Sequence, residues 1–378
     1  MQYSSKEKNK DKVIVLVPAL TARGGITNYY QVLKSEFGEK VEYFERGART
    51  WPVRKGFIPE IIRAWGDYKR FKNRLKLNDI SLVQCNTSLG LNSIIRDGMF
   101  LLYARKKGIR TIAFFHGWNP AIEYTINRYY KRLFAHFFFE TNQIIIINQR
   151  VQDTLRSWGY KGRIHCETTL YDKKICGNIN EEYLTRKYET LQRDKKFGLL
   201  YLSRLEKEKG IYELFEAFKL IKANNLVDYD IRLTVCGDGY ELENIKKKVN
   251  KDHIDGVIIN GFVDGAQKTE AFEGNHVFVL PSYTEGMPVS VLEAMGFGLP
   301  VIATPVGGLN DIIEDGKNGY FVEVRSAKNI IEKILKLTRD PDGMMRMSLN
   351  NYEMANKKFR SDIVAKRIKE IHSAVLEE

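Results

Sequence analysis

Cysteine is scarce in this chain: Cys85, Cys166, Cys176 and Cys236 are the four among 378 residues, and no two form a C-x-x-C pair. That rules out a disulfide-stapled scaffold or a zinc ribbon, and the expectation is buried thiols in a reducing cytosol. No His/Cys spacing builds a metal site, so no metal is expected. Long apolar runs are missing too, and no segment is long enough to span a bilayer. Near the start, Lys6, Lys8, Lys10 and Lys12 precede V-I-V-L-V-P-A-L and imitate a signal peptide. The apolar run is short, contains Pro18 and leads into Gly24-Gly25, so it reads as a first strand behind a disordered head, residues 1–12. A dinucleotide fingerprint is absent as well: G-D-G-Y-E-L at Gly237 lacks the third glycine, which argues against NAD.

What is present is a globular composition, 43% hydrophobic, long enough for two domains with separate cores. The net charge of +13 is unevenly spread, residues 1–190 holding 33 Lys and Arg against 18 Asp and Glu. That excess points to an anionic partner for the first half, either a lipid surface or nucleic acid.

The chain is organised around Pro281–Gly308, P-S-Y-T-E-G-M-P-V-S-V-L-E-A-M-G-F-G-L-P-V-I-A-T-P-V-G-G. His276–Leu280 is short and apolar enough for a strand buried on both faces, and Thr284-Glu285-Gly286 is a turn. Pro288 suits a helix start, the helix running to Phe297 and stopping at Gly298, before a strand over Pro300–Thr304. Glu285 then lies at the carboxyl edge of a parallel sheet, where open α/β sheets bind ligands. Helix N–H groups there suit an anion and a neighbouring carboxylate suits sugar hydroxyls, a pairing that suggests a nucleotide sugar.

A second cationic spot follows the strand Phe197–Leu202. Arg204 and Lys209 frame S-R-L-E-K-E-K-G just before a helix over Ile211–Lys222, an arrangement suited to a diphosphate. Further strands are expected at Ile231–Cys236, Gly256–Asn260 and Gly319–Val324; the turns at Gly237 and at Phe262-Val263 are candidates to border a nucleobase. Asp228-Tyr229-Asp230 precedes its strand and so lies at the wrong edge for a metal-binding D-x-D.

These elements resemble the large retaining glycosyltransferase family 4 of the GT-B fold, closely across the second half and in the first half by layout and His116. The resemblance implies an α/β fold of two Rossmann-like domains facing across a cleft, with a final helix crossing back to the first. It implies that Glu285 contacts the donor sugar and Glu293 the ribose, that Arg204 and Lys209 neutralise the leaving diphosphate, and that His116 faces the sugar. Gly24 and Gly25 would lie over the diphosphate, and Gly286, Met287, Pro288, Val289 and Leu292 would line the rest of the donor site. Many family members carry Gly where this chain has Pro288, which removes one backbone donor beside the sugar.

In the first half, Val13–Pro18, Val41–Glu45, Ile80–Cys85, Thr111–Phe115 and Gln143–Ile147 alternate with helical stretches, the first of them Ile26–Phe37, as a parallel sheet requires. His116 ends one of those strands. Ile61, Trp65, Tyr68, Phe71 and Leu75 recur at helical spacing among Arg63, Lys69, Arg70, Lys72, Arg74 and Lys76; Tyr124–Phe139 is aromatic with cationic flanks. Each is either a membrane-facing surface or an ordinary core-facing stripe. Tyr171–Lys196, charged and without apolar periodicity, is expected as a linker. The domains expected are thus 13–170, 197–355 and a crossover helix over 356–378.

The expectation is a retaining, metal-independent and cofactor-free transferase. It would move a hexose or N-acetylhexosamine from a nucleotide sugar, UDP favoured over GDP, to a glycan or lipid-linked acceptor of the bacterial cell surface, such as lipopolysaccharide. The location expected is cytoplasmic, with the basic half as a contact to the inner face of the plasma membrane. The alternatives are an epimerase or phosphorylase of the same fold, or a basic nucleic-acid-binding protein; no nucleic-acid motif is present, and no such partner is expected.

Overall fold

The structure, a computed structural model, describes residues 12–22, 24–47 and 57–378. The expected head lies outside the described residues except for Lys12, which opens the first strand. The chain divides into two compact units: the residues up to Thr168 with Ser361–Glu378, and Thr169–Arg360.

The first unit alternates β1 (Lys12–Pro18), α1 (Gly25–Phe37), β2 (Val41–Arg46), α2 (Phe57–Leu75), β3 (Ile80–Ser88), α3 (Leu91–Lys106) and β4 (Arg110–Gly117). Then come α4 (Pro120–Thr125), a π-helical turn at Ile126–Tyr130, α5 (Lys131–Phe138), β5 (Gln143–Ile146), α6 (Gln149–Ser157) and β6 (Arg163–Cys166). The six strands are parallel in the order β2-β1-β3-β4-β5-β6. Their continuous apolar runs follow from burial on both faces, as in β5, where all four residues are buried. β6 was not legible, because an edge strand reading R-I-H-C, half-buried or exposed throughout, needs no apolar run.

Both aromatic, basic stretches divide along their length. In α2, Phe71 and Leu75 are buried in the core and Tyr68 packs on it, whereas Ile61, Ile62 and Trp65 are exposed. In the second stretch Ile126, Phe134, Phe137 and Phe138 are core, and Tyr124, Tyr129, Tyr130 and Leu133 are exposed. α3 and α5 approach so closely that a Cβ at Gly98 would overlap the Phe137 ring.

The second unit begins where a linker was expected. Residues 171–196 instead hold a 3-10 turn at Lys173–Cys176 and α7 (Glu181–Asp194), capped by the Asn180 side chain. Leu184, Tyr188 and Leu191 form a buried stripe, hidden in the sequence by charged residues on the helix's other faces. The buried Tyr188 hydroxyl reaches the carbonyls of His276 (2.9 Å) and Gly298 (3.1 Å).

β7 (Lys196–Leu202), α8 (Ile211–Ala223), β8 (Asp230–Cys236), α9 (Leu242–Lys251), β9 (Val257–Gly261), α10 (Gly265–Glu273), β10 (Val277–Leu280), α11 (Val289–Gly296), β11 (Val301–Ala303) and β12 (Gly319–Phe321) follow. α12 (Ala327–Arg339) and α13 (Pro341–Lys358) close the unit, whose parallel sheet runs β12-β11-β10-β7-β8-β9.

The last helix, α14 (Ser361–Glu377), belongs to the first unit, packing on α1 and β3. Among its polar ties, Arg367 donates to both carboxylate oxygens of the buried Glu167 (2.7–3.1 Å), and His372 Nε2 meets Gln84 Oε1 at 2.6 Å. Cys85 and Cys236 are buried as expected; Cys166 is exposed because it ends the edge strand β6, and Cys176 is half-buried.

Candidate functional site

In the second unit the sheet reverses direction between β7 and β10: the chain proceeds outward through β8 and β9, then returns to the other side of β7. The loops after β7 and β10 therefore open side by side at a switch point, where α/β sheets leave a ligand crevice. Arg204 and Lys209 lie on the first loop and Glu285 on the second. Lys209 Nζ stands 2.7 Å from Glu285 Oε1, and both side chains are largely buried (12% and 8% exposed). The Ser282 hydroxyl donates to the same carboxylate oxygen at 2.7 Å, and the Thr304 hydroxyl donates to the Ser282 carbonyl. Two residues far apart in sequence are thus placed within one hydrogen bond, supported by β10 and β11.

Glycine makes this closeness feasible. Gly210 (φ +73°) follows Lys209, and a Cβ there would collide with the Pro281 carbonyl. Gly307 (φ +58°) packs equally tightly on the Glu285 carbonyl. At Gly286 the opposite holds, since a Cβ would meet nothing within 4 Å and the backbone is left open.

Helix α11 starts at Val289 with Pro288 as its N-cap residue and no capping side chain, so its first N–H groups are not consumed by a cap. Met287 is buried, its carbonyl 3.4 Å from the Thr169 hydroxyl. Leu292 and Glu293 are buried in the helix. Glu293 pairs at 2.6 Å with Lys268 of α10. Burial pushes the Glu293 carboxyl up from its ordinary value, Lys268 opposes that, and Asp172 adds to it.

Arg204 is placed differently. Its side chain is 71% exposed and pairs with Glu206 at 2.6 Å, on the same loop as Lys209 but outside the Lys209–Glu285 contact. The rim continues through backbone bonds from Ser203 N to the Cys236 carbonyl (3.2 Å) and Gly237 N to the Gly261 carbonyl (2.6 Å). Beyond it Phe262 is exposed and Val263 buried.

The first unit holds Gly24, Gly25 and His116. Its sheet also reverses, between β1 and β3, and Gly24-Gly25 begin α1 after β1 with no side chain capping the helix. A Cβ at either glycine would meet nothing within 4 Å.

His116 is the next-to-last residue of β4, half-buried against the rings of Phe114, Tyr29 and Tyr30. Its Nε2 is 3.1 Å from Asn86 Oδ1. The Asn86 amide is oriented by its own Nδ2, which donates to the Leu16 carbonyl (2.9 Å), and by the Tyr30 hydroxyl, which donates to Oδ1 (2.6 Å). Oδ1 is therefore an acceptor, so Nε2 must carry the proton and Nδ1 is left as the acceptor. Desolvation and then the nearby Arg46 charge hold the imidazole pKa well below its ordinary value. Arg46 is itself buried and paired with the buried Asp97 at 3.2 Å.

Several of these partners had no sequence signal. Lys268 lies on another helix at no diagnostic spacing from Glu293, and Asn86 stands one residue past the expected end of its strand. Ser282 sat inside the central stretch, without a role.

Two family models divide the chain: "Glycosyltransferase Family 4" matches residues 13–166 and "Glycosyl transferases group 1" residues 185–354. Among curated proteins, a capsular polysaccharide biosynthesis glycosyltransferase of Staphylococcus aureus, CapM, is 30% identical over 206 residues, 53% of this chain and 52% of that protein. The chain spans about half the length of the curated relatives it matches. Among solved structures, sucrose-phosphate synthase from Thermosynechococcus elongatus superposes with TM-score 0.74 at 18% identity, covering 97% of this chain and 99% of that one. Anabaena HepE in complex with UDP-glucose gives TM-score 0.69 at 17% identity, covering 96% and 99%. These likenesses show the fold, GT-B.

Proposed function

Since the chain belongs to glycosyltransferase family 4, with the GT-B fold, we propose that it transfers a hexose or N-acetylhexosamine from a nucleotide sugar to a glycan or lipid-linked acceptor of a bacterial surface polysaccharide. The observation that carries this is the Lys209–Glu285 contact at the switch point of the second sheet: a cation for the diphosphate touches an acid for the sugar. A ligand reaching that contact meets both charges at once.

In this reading the lysine ammonium, with three donors, keeps its bond to Glu285 and turns another toward the diphosphate. Arg204 and the uncapped start of α11 add positive potential where the leaving group gains charge, so the protein's cations do the neutralising and no metal is invoked. Glu285 accepts from a sugar hydroxyl and Glu293 from the ribose. Gly237, Phe262 and Val263 border the base, with Gly286, Met287, Pro288, Val289 and Leu292 along the donor. Within the first unit, Gly24 and Gly25 leave the backbone open to a phosphate and His116 offers Nδ1 to a hydroxyl. The transfer retains anomeric configuration by front-face attack, the leaving phosphate taking the acceptor's proton.

UDP is the favoured carrier; HepE, which shares the fold, is described in complex with UDP-glucose. The relative CapM, named for capsular polysaccharide biosynthesis, supports a surface-glycan acceptor. The exposed Ile61, Ile62 and Trp65 with Arg63 and Lys69 beside them support contact with an anionic membrane. Among the described residues no helix is long and apolar enough to cross one.

A thermal-shift panel of UDP, GDP and ADP, free and as sugar conjugates, tests the donor. One nucleotide family should raise the melting temperature, and the Lys209→Met variant should lose the shift. No stabilisation by any of them would overturn the proposal.

A further inference from the structure

The Lys268–Glu293 pair has a consequence beyond its contribution to the fold. Glu293 sits in α11, where every residue from Val291 to Gly296 is buried, and the carboxylate is 8% exposed. A carboxylate so enclosed has lost most of its hydration and favours the neutral acid. The neutral acid would carry a proton on one oxygen and offer one acceptor fewer to a vicinal diol.

Among the described residues, three groups face Glu293: Lys268 from α10, Cys176 from the 3-10 turn, and Asp172, which caps that turn. Asp172 makes the enclosed charge harder to hold. The Cys176 thiol is itself pushed up by burial first and by Glu293 second, so it stays neutral and supplies no countercharge. Among these groups the Lys268 ammonium alone favours ionisation, at 2.6 Å from Oε1 and with its own side chain only 23% exposed. It also occupies Oε1, which leaves Oε2 and the second lone pair of Oε1 for an incoming ligand.

We propose that Lys268 is a positioning residue for the nucleotide, holding Glu293 charged and aimed so that affinity depends on the ribose hydroxyls. The proposal rests on the assignment of Glu293 to the ribose made above. It acts through Glu293 and places Lys268 itself in contact with neither sugar nor phosphate. Such an arrangement selects ribonucleotides: a 2′,3′-dideoxy nucleotide would leave a charged, enclosed acid without its partners.

The test uses the full chain and titration calorimetry with UDP, GDP and ADP and their 2′,3′-dideoxy counterparts, at pH 6 and pH 8. For the best-binding base, the wild type should prefer the ribonucleotide and keep that preference at both pH values. Lys268→Met should weaken the ribonucleotide about 10- to 100-fold, more at pH 6 than at pH 8, without weakening the dideoxy compound, so that discrimination collapses. Lys268→Arg should restore most of it. Lys268→Gln, which keeps a hydrogen-bond donor without the charge, should behave like the Met variant and guards against misfolding of the latter.

If Lys268→Met and Lys268→Gln discriminate like the wild type while Glu293→Gln does not, the role of Lys268 is refuted and the ribose assignment stands. If Glu293→Gln still discriminates, the ribose assignment itself fails and the proposal falls with it.

Discussion

Lys209→Met is the perturbation whose consequences separate folding from function most cleanly. Among the described residues, the substitution leaves the largely buried Glu285 carboxylate with the Ser282 hydroxyl as its remaining side-chain hydrogen-bond partner. An enclosed polar group stripped of its partner costs about 1–3 kcal/mol. At about 2 kcal/mol and some 2–4 °C per kcal/mol for a unit of this size, melting should fall by roughly 4–8 °C. Turnover should fall further, because a charged contact to developing phosphate charge is worth about 2–4 kcal/mol, or roughly 30- to 1000-fold. Adding Glu285→Gln to Lys209→Met removes the orphaned charge. The double variant should recover most of the lost melting temperature and none of the lost turnover. Scanning calorimetry and a donor-consumption assay on the four proteins of the cycle measure both. A double variant that regains activity, or a single variant with normal turnover, would refute the reasoning.

Other outcomes follow from the same geometry. Arg204→Ala should leave stability within about 0.5 kcal/mol of the wild type, its side chain being mostly exposed, while turnover falls by about 30- to 1000-fold; unchanged kinetics would remove Arg204 from the site. His276 Nδ1 accepts from the Gly198 N–H at 3.0 Å, and burial, then Lys187, lowers its pKa from 6.5 to about 3. The unfolded state therefore binds the extra proton first as pH falls below 6.5. Stability from this group is full above that pH and declines toward pH 3, by about 2 kcal/mol at pH 5. Denaturant unfolding at pH 5 and 7.5 should show that loss in the wild type, and a smaller one in His276→Asn. Gly210→Ala should destabilise by more than about 2 kcal/mol, since it combines a positive φ with a collision against Pro281; a normal melting curve would mean the two loops are not as close as described.

Much of the fold was legible because burial on both faces leaves apolar runs such as V-I-V-L-V and I-I-I-I, and because Gly298 (φ +66°) marks where α11 ends. What escaped had no apolar signature to offer. β6 is an exposed edge, and α7 hides three buried side chains among charges. The amphipathic stretches misled by being two things at once, core at Phe71 and Phe134 and surface at Trp65 and Tyr129. In the site, residues within the central stretch could be named, because helix and turn signals fix where Glu285 and Glu293 fall. The pairings could not: that Lys209 touches Glu285 and Lys268 touches Glu293 follows from strand order and helix packing, which spacing along the chain does not encode. The Asn86 amide that sets the His116 tautomer was hidden for the same reason.

A crystal structure of the full chain with UDP tests the central claim most directly. The account predicts the pyrophosphate within hydrogen-bond distance of Lys209 Nζ and the ribose hydroxyls on the Glu293 carboxylate. A nucleotide bound away from the loops that follow β7 and β10, with the Lys209–Glu285 contact facing only water, would contradict it.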